Sequence, residues 1–299
     1  MGKAQDRAHD VRMQASTIIE TRCGPVECAS YGEGPAIIAL HGGMGGQDQS
    51  QLLAQAAITN PGFRILALSR PGYLGTPLRS GRSPEEQADL YAALLDTLSI
   101  ARAGVIAVSA GGLSALQFAL RHPTRCWGMV TVSACTGHLD PPPNVFRGLA
   151  MLNFMARIPF MTAMMQRKAL ADPEAASRRS IADADVCKRT LADPEAGPLM
   201  IALQTGIFDR LSRRIPGTIN DIAYEQQAVA YPLENIATPV LAIHGTADRI
   251  VPFAHGLAIA NGVPHAQFMA VEGGEHVSLF THLDAIRARV GSFLVEQKK

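Results

Sequence analysis

The run Val105-Ile106-Ala107-Val108-Ser109-Ala110-Gly111-Gly112 constrains this chain more than any other segment. Four apolar residues, read as a buried strand, end abruptly at a small hydroxyl residue set among tiny neighbours. An Ala- and Leu-rich helical pattern begins at once and runs to about residue 122, where Pro123 stops it. A strand that passes directly into a helix is the opening of a parallel βα unit, with the backbone doubling back at Ser109. A turn that sharp needs small residues two places before and two places after its apex, because larger side chains would collide. Ala107 and Gly111 occupy those places.

The same alternation runs through much of the chain and predicts a mostly parallel sheet with helices on both faces. Strands are expected at residues 36–40, 65–68, 105–108, 129–132, 240–243 and 267–271. A leading hairpin is expected from 17–23 and 26–31, turning at Gly24-Pro25. Ser83-Pro84-Glu85-Glu86 starts a helix, with Pro at its first position and acids in its first turn. From residue 137 to 225 no strand pattern is found. Asp140-Pro141-Pro142-Pro143 reads as a stiff linker into helical stretches, and Asp172-Pro173-Glu174 and Asp193-Pro194-Glu195 read as helix starts. The expected organisation is a tail at 1–16, an α/β core at 17–136 and 226–299, and a helical insertion at 137–225.

At 299 residues, 47% hydrophobic and 18% charged, the chain has ample material for a full core. Its formal net charge of +1 gives no argument for nucleic acid or for an anionic membrane surface. No apolar run approaches the ~20 residues of a membrane span. The first sixteen residues are polar and of mixed charge, unlike a signal or transit peptide, and Asp6 argues against myristoylation at Gly2. Five cysteines, Cys23, Cys28, Cys126, Cys135 and Cys187, fit no zinc spacing and read as reduced thiols. Cys23 and Cys28 alone flank a turn that could bring them together. The expectation is a cytoplasmic protein with a small-molecule partner and no metal, binding neither nucleic acid nor membrane.

A serine is a poor nucleophile at neutral pH unless a base stands within hydrogen-bond reach and an acid orients that base. In a parallel α/β sheet those partners belong on loops after later strands, in the order Ser, acid, His. The strand at 240–243 leads into His244-Gly245-Thr246-Ala247-Asp248, which makes Asp248 the candidate acid. A turn Asp capping the helix near Pro252 is the simpler reading of the same residue. The strand at 267–271 leads into Glu272-Gly273-Gly274-Glu275-His276, which makes His276 the candidate base.

The strand at 36–40 leads into His41-Gly42-Gly43-Met44-Gly45-Gly46. A phosphate loop would continue with Gly-Lys-Ser/Thr, but Gln47-Asp48-Gln49 follow, and the glycine spacing is not that of a dinucleotide fingerprint. No cofactor is therefore expected. A backbone amide aimed at a developing oxyanion fits better, from Gly43 or, second, Met44, with Ala110 supplying another amide. Arg70 is read as a tie between loops in preference to a substrate anchor. His41 and His244 are read as loop organisers.

Taken together, His41-Gly42-Gly43, Arg70-Pro71-Gly72-Tyr73-Leu74-Gly75, the Ser109 turn, Asp248 with Val251-Pro252, and His276 resemble the α/β-hydrolase superfamily in its capped esterase/lipase-like branch. The resemblance spans nearly the whole core, in the family's order. It implies the family's eight-stranded type of sheet, a helical cap, Ser109 as nucleophile, Asp248 as orienting acid and His276 as general base. It also implies Gly43 and Ala110 as oxyanion donors. The departures are Ala107, where the family pattern has Gly, and the additional Leu74.

The expected reaction is hydrolysis of a small or medium, mostly apolar carboxylic ester. Phe146, Met151, Phe154, Met155, Phe160, Met161, Met164 and Met165 suggest a deformable apolar pocket beneath the cap, or the cap's own core. Arg157, Arg167, Lys168, Arg178 and Arg179 read as a solvated face. Two alternatives stay open. One is hydrolysis of a carbon–carbon bond beside a carbonyl, a class that usually carries Met where Ala110 stands. The other is a non-catalytic receptor that has kept the fold. Epoxide and haloalkane chemistry would need a carboxylate at position 109.

Overall fold

The computed structural model describes residue 11, residues 13–141 and residues 143–298. The readings placed on residues 1–10, on Arg12 and, within the Asp140–Pro143 linker, on Pro142 lie outside the described residues. Eight strands form one sheet in the order β1-β2-β4-β3-β5-β6-β7-β8. They are β1 Thr17–Thr21, β2 Gly24–Tyr31, β3 Ala36–Leu40, β4 Arg64–Leu68, β5 Ala103–Val108, β6 Cys126–Val132, β7 Val240–Gly245 and β8 Ala266–Val271. β2 runs antiparallel to β1 and β4, and every other pairing is parallel. The central strands β3, β5 and β6 are buried along their full length, which is why they read as continuous apolar runs without alternation.

Helices cover both faces of the sheet. They are α1 Gln47–Ala57, α2 Pro84–Thr97, α3 Gly111–Arg121, α10 Ala254–Gly262, α11 Ser278–Thr281 and α12 Leu283–Gln297. Between β6 and β7 the described residues form only helices: α4 Val145–Ala156, α5 Pro159–Ala171, α6 Pro173–Ser177, α7 Ala184–Ala192, α8 Ala196–Gly206 and α9 Ile215–Gln227, with short 3-10 turns before and after α9. Local chemistry sets several of these ends. Ser83 and Glu86 form a reciprocal capping box on α2. Asp172 caps α6 through the Ala175 amide.

Three expectations need correction. The β1–β2 hairpin turns at Arg22-Cys23, and Gly24-Pro25 already belong to β2, with Gly24 opposite Thr21. The Thr21 hydroxyl holds this tighter turn by accepting from Cys23 N–H and donating to the Gly24 carbonyl. Helix α1, rich in Gln and carrying no clear apolar period, went unread. Residues just before β1 are docked, not loose: Gln14 exchanges two hydrogen bonds with Gln51 on α1. All five cysteines are free thiols.

Candidate active site

Ser109 stands where β5 becomes α3 and takes a positive φ of 54°, a strained position for a residue with a side chain. The surroundings over-determine it. Its carbonyl accepts from Gly112 N–H at 2.9 Å and Cys135 N–H at 3.0 Å. A Cβ at position 111 would come within 2.8 Å of the His41 carbonyl oxygen, and one at position 42 within 2.9 Å of the Ser109 Cβ. Gly42 and Gly111 therefore let the loop after β3 and the start of α3 close around the serine. Ala107 is fully buried inside β5 between Leu40 and Thr131, so the methyl in place of glycine is absorbed within the sheet.

The loops after β7 and β8 complete the arrangement. His276 Nε2 lies 3.1 Å from Ser109 Oγ, and His276 Nδ1 lies 2.9 Å from Asp248 Oδ2. The other Asp248 oxygen accepts from the amides of Ile250 and Val251, so the carboxylate also organises its own loop. Asp248 does not cap the helix that follows: α10 starts at Ala254 behind Phe253, with no side-chain cap, and Asp248 ties only the turn that leads to it. Burial would raise its carboxyl pKa, but hydrogen bonds from His244 and His276, the charge of His276 and the Val251 amide together hold it well below the usual carboxylate range. An anionic Asp248 fixes His276 in the tautomer whose Nε2 faces the serine as an acceptor.

The two other histidines behave as organisers. Arg70 N–H donates to His41 Nε2 at 3.0 Å, which leaves Nδ1–H to donate to the Gly42 carbonyl at 2.6 Å. Burial, then the charge of Arg70, keeps the His41 pKa well below its ordinary value. His244 Nε2 is 2.9 Å from the Val251 carbonyl and 3.5 Å from Asp248 Oδ2, so it supports the acid as well as the loop.

Of the two loop amides considered for the oxyanion, Met44 is set aside. Its N–H donates to Thr218 Oγ1 on α9 at 3.0 Å. Among the described residues the amides of Gly43 and Ala110 have no such partner. Gly43 borders the cavity in front of Ser109 and has no heavy atom within 4 Å of a would-be Cβ. Ala110 heads α3 and borders a smaller recess beside Arg70 and Asp221. Leu74 also has a positive φ, of 48°, and packs over Gly46, so it shapes the loop that carries Gly43.

The cavity at Ser109 is about 210 Å³. Its apolar wall is Leu53, Val108, Leu203, Ile207, Val277, Leu279 and Phe280, and its polar groups include Gln49, Ser180 and Gln204. No Asp, Glu, Lys or Arg is among the lining residues. A second cavity of about 330 Å³ lies between α5, α6 and α8 and shares Gln204 and Ile207 with the first. None of the eight Met and Phe residues read as pocket or cap core lines the cavity at Ser109, and Met165 alone reaches the second one. Phe146, Met151, Phe154, Phe160 and Met164 face solvent instead. Their composition suggested burial, but the apolar wall comes from α1, the end of β5, α8 with Ile207 just after it, and the α11 segment.

Cap and core meet along one face of α9, a feature the sequence reading missed. Arg214, Thr218, Asp221 and Glu225 follow an i, i+4, i+7, i+11 stripe. Arg214 is fully buried and pairs with Asp48 at 2.7 Å while donating to the Gly45 carbonyl at 3.0 Å. Asp221 pairs with Arg70 and accepts from the Tyr73 hydroxyl. Gly217 and Gly72 approach closely, joined by Gly217 N–H to the Gly72 carbonyl at 2.9 Å. A stripe of polar residues recurring on one face of a cap helix was the available signal. Glu275, next to His276, is a further attachment, accepting from Ala182 N–H at 2.7 Å.

Eight strands in this order, with a serine at the β5–α3 turn and an acid and a histidine after β7 and β8, define an α/β hydrolase. The model of the alpha/beta hydrolase fold family matches residues 35–283, and the chain belongs to that family. It is similar to an alpha/beta hydrolase fold protein from Nakamurella multipartita, with a TM-score of 0.79, 29% identity and coverage of 94% of this chain and 99% of that one. A 2-hydroxy-6-oxononadienedioate/2-hydroxy-6-oxononatrienedioate hydrolase of Paraburkholderia phymatum is 25% identical over 86% of each chain. A 2-hydroxymuconate semialdehyde hydrolase of Pseudomonas putida is 25% identical over 89% of this chain and 85% of its own.

Proposed function

We propose that this protein is a serine hydrolase that cleaves a short, uncharged carboxylic ester through an acyl-enzyme. The observation that carries the reading is the hydrogen-bonded line from Ser109 through His276 to Asp248, opening on a small cavity with no Asp, Glu, Lys or Arg in its lining. Ser109 Oγ attacks the carbonyl carbon as its proton passes to His276 Nε2. The oxyanion is held by the Gly43 and Ala110 amides, each worth about 3 kcal/mol of barrier. His276 returns the proton to the departing alkoxide oxygen. Water then attacks the acyl carbon, gives its proton to His276, and the acid leaves as Ser109 regains its hydrogen.

Cavity size and polarity support this substrate class. About 210 Å³ is below the ~300–1,000 Å³ of pockets that hold drug-sized ligands, so the acyl group is short. The names of the two curated relatives favour a second reading, hydrolysis of a carbon–carbon bond beside a carbonyl. A dioate would bring two carboxylates into a site that offers no lysine or arginine, and burying an unpaired charge is costly. That mismatch favours the ester. Turnover of short p-nitrophenyl esters is compared with cleavage of a vinylogous diketone acid. The ester reading expects kcat/KM at least tenfold higher on the ester. A clear preference for the diketone acid assigns the carbon–carbon reaction instead.

A further inference from the structure

We propose that α4 and α5 form a docking face for an anionic phospholipid bilayer. The outward sides of these helices are apolar where a solvated cap would be polar. Phe146, Met151 and Phe154 on α4, Ile158 at the junction, and Phe160 and Met164 on α5 are all exposed, Phe154 by 68% and Phe160 by 73%. The inward sides are already satisfied, with Leu152, Ala156, Met165 and Ala169 packed around Phe208, Leu211 and Ile215. The exposed residues are therefore a surface and not a loosely closed core.

Charge identifies the occupant. Residues 141–171 contain no Asp or Glu, while Arg147, Arg157, Arg167 and Lys168 are all exposed among the apolar residues. Phe160, Met164, Arg167 and Lys168 share one stripe of α5, and Arg147, Met151 and Phe154 share one stripe of α4. Large apolar groups interleaved with cations alone are the pattern of helices that lie in a lipid interface, with rings among the acyl chains and basic heads at the phosphates. A second copy of this chain fits worse, because a two-fold contact would set these cations against their own copies. The two helices meet at a 110° bend, and no single helix among the described residues is long and apolar enough to cross a membrane; four cations spread along both helices suit a face lying on the bilayer better than a bent pair passing through it. The other flank of α5, through Met165 and Ala169, lines the second cavity. Docking would bring lipid-dissolved molecules within one helix of the active-site cavity. The proposal does not depend on which bond the enzyme cleaves.

Co-sedimentation with vesicles tests it, using phosphatidylcholine alone and phosphatidylcholine mixed with phosphatidylglycerol. Wild type is expected to bind the mixed vesicles, to bind the neutral ones at least tenfold more weakly, and to be released by high salt. Phe154→Glu with Phe160→Glu, and separately Arg157→Glu with Arg167→Glu, should each weaken binding at least tenfold while circular dichroism and turnover of a soluble substrate stay at wild-type values. Failure of wild type to bind anionic vesicles overturns the proposal, as does wild-type binding by both double variants. Sedimentation velocity supplies the rival outcome. A wild-type dimer that the Phe154→Glu, Phe160→Glu protein turns into a monomer gives the face to a second copy and overturns it too.

Discussion

The Arg70 guanidinium of the core and the Asp221 carboxylate of α9 form a two-pronged ion pair, 3.0 Å from Nη1 to Oδ1 and 2.5 Å from Nη2 to Oδ2, with Arg70 only 1% exposed. Arg70 Nε also donates to the His41 carbonyl at 2.8 Å, so one side chain links the cap helix to the loop that leads into Gly43. Asp221→Asn leaves that guanidinium buried without a counter-charge and is expected to destabilise the protein by about 3–5 kcal/mol. Arg70→Met combined with Asp221→Leu should lose much less, because both charges leave together. Denaturant unfolding of the three proteins measures the difference. Equal losses in the single and double variants would remove the pair's role as the fastening of cap to core.

Asp248→Asn tests the orientation of His276. The amide can still accept from the Ile250 and Val251 amides, so the loop survives, but the negative charge that fixes the imidazole tautomer is gone. Turnover number is expected to fall by about three to four orders of magnitude with little change in KM and an unaltered melting profile. Near-wild-type turnover would remove Asp248 from the mechanism.

Glu225 gives a pH signature in stability. Burial, then the charge of Asp221, raises its carboxyl to about 7, against 4.5 in its ordinary state, with Arg70 opposing in part. The folded protein therefore holds this proton more tightly than the unfolded chain does. Below the unfolded value the carboxyl is protonated in both states and imposes no penalty. As pH rises from about 4.5 to about 7 the penalty grows, and above that it is complete. Glu225→Gln should match wild type near pH 4 and exceed it by up to about 3 kcal/mol at pH 8. Thermal melts across that range check it. A variant equally or less stable at pH 8 would show that the carboxylate is well accommodated.

Ile207 and Gln204 separate the cavity at Ser109 from the larger one between α5, α6 and α8. Ile207→Ala should join the two and move the preferred acyl chain of a p-nitrophenyl ester series to greater length. The expected shift is two or more carbons, with kcat on the shortest ester within about threefold of wild type. An unchanged chain-length profile would show that the partition lies elsewhere.

What was legible in the sequence was whatever depends on neighbours along the chain. The strand-to-helix turn at Ser109, the glycines around it, the Ser83–Glu86 cap and the sites of Asp248 and His276 at strand ends all follow from short-range rules. Pairings between residues far apart did not show. Thr218 taking the Met44 amide, and Arg214 and Asp221 fastening α9 to the core, join positions separated by 150 residues or more. The Met- and Phe-rich helices misled for a related reason: composition says that a side chain is apolar, while burial depends on what packs over it. The formal net charge of +1 is likewise a sum over the whole chain, and it concealed a stretch from 141 to 171 that is basic alone.

The central claim is that Ser109 is an activated nucleophile. A fluorophosphonate reacts covalently with such a serine, and peptide mass mapping locates the adduct. The account predicts one adduct, on the peptide carrying Ser109, absent from Ser109→Ala and strongly slowed in His276→Ala. An unmodified Ser109 in the folded wild-type protein, or equal labelling of wild type and Ser109→Ala, would contradict it.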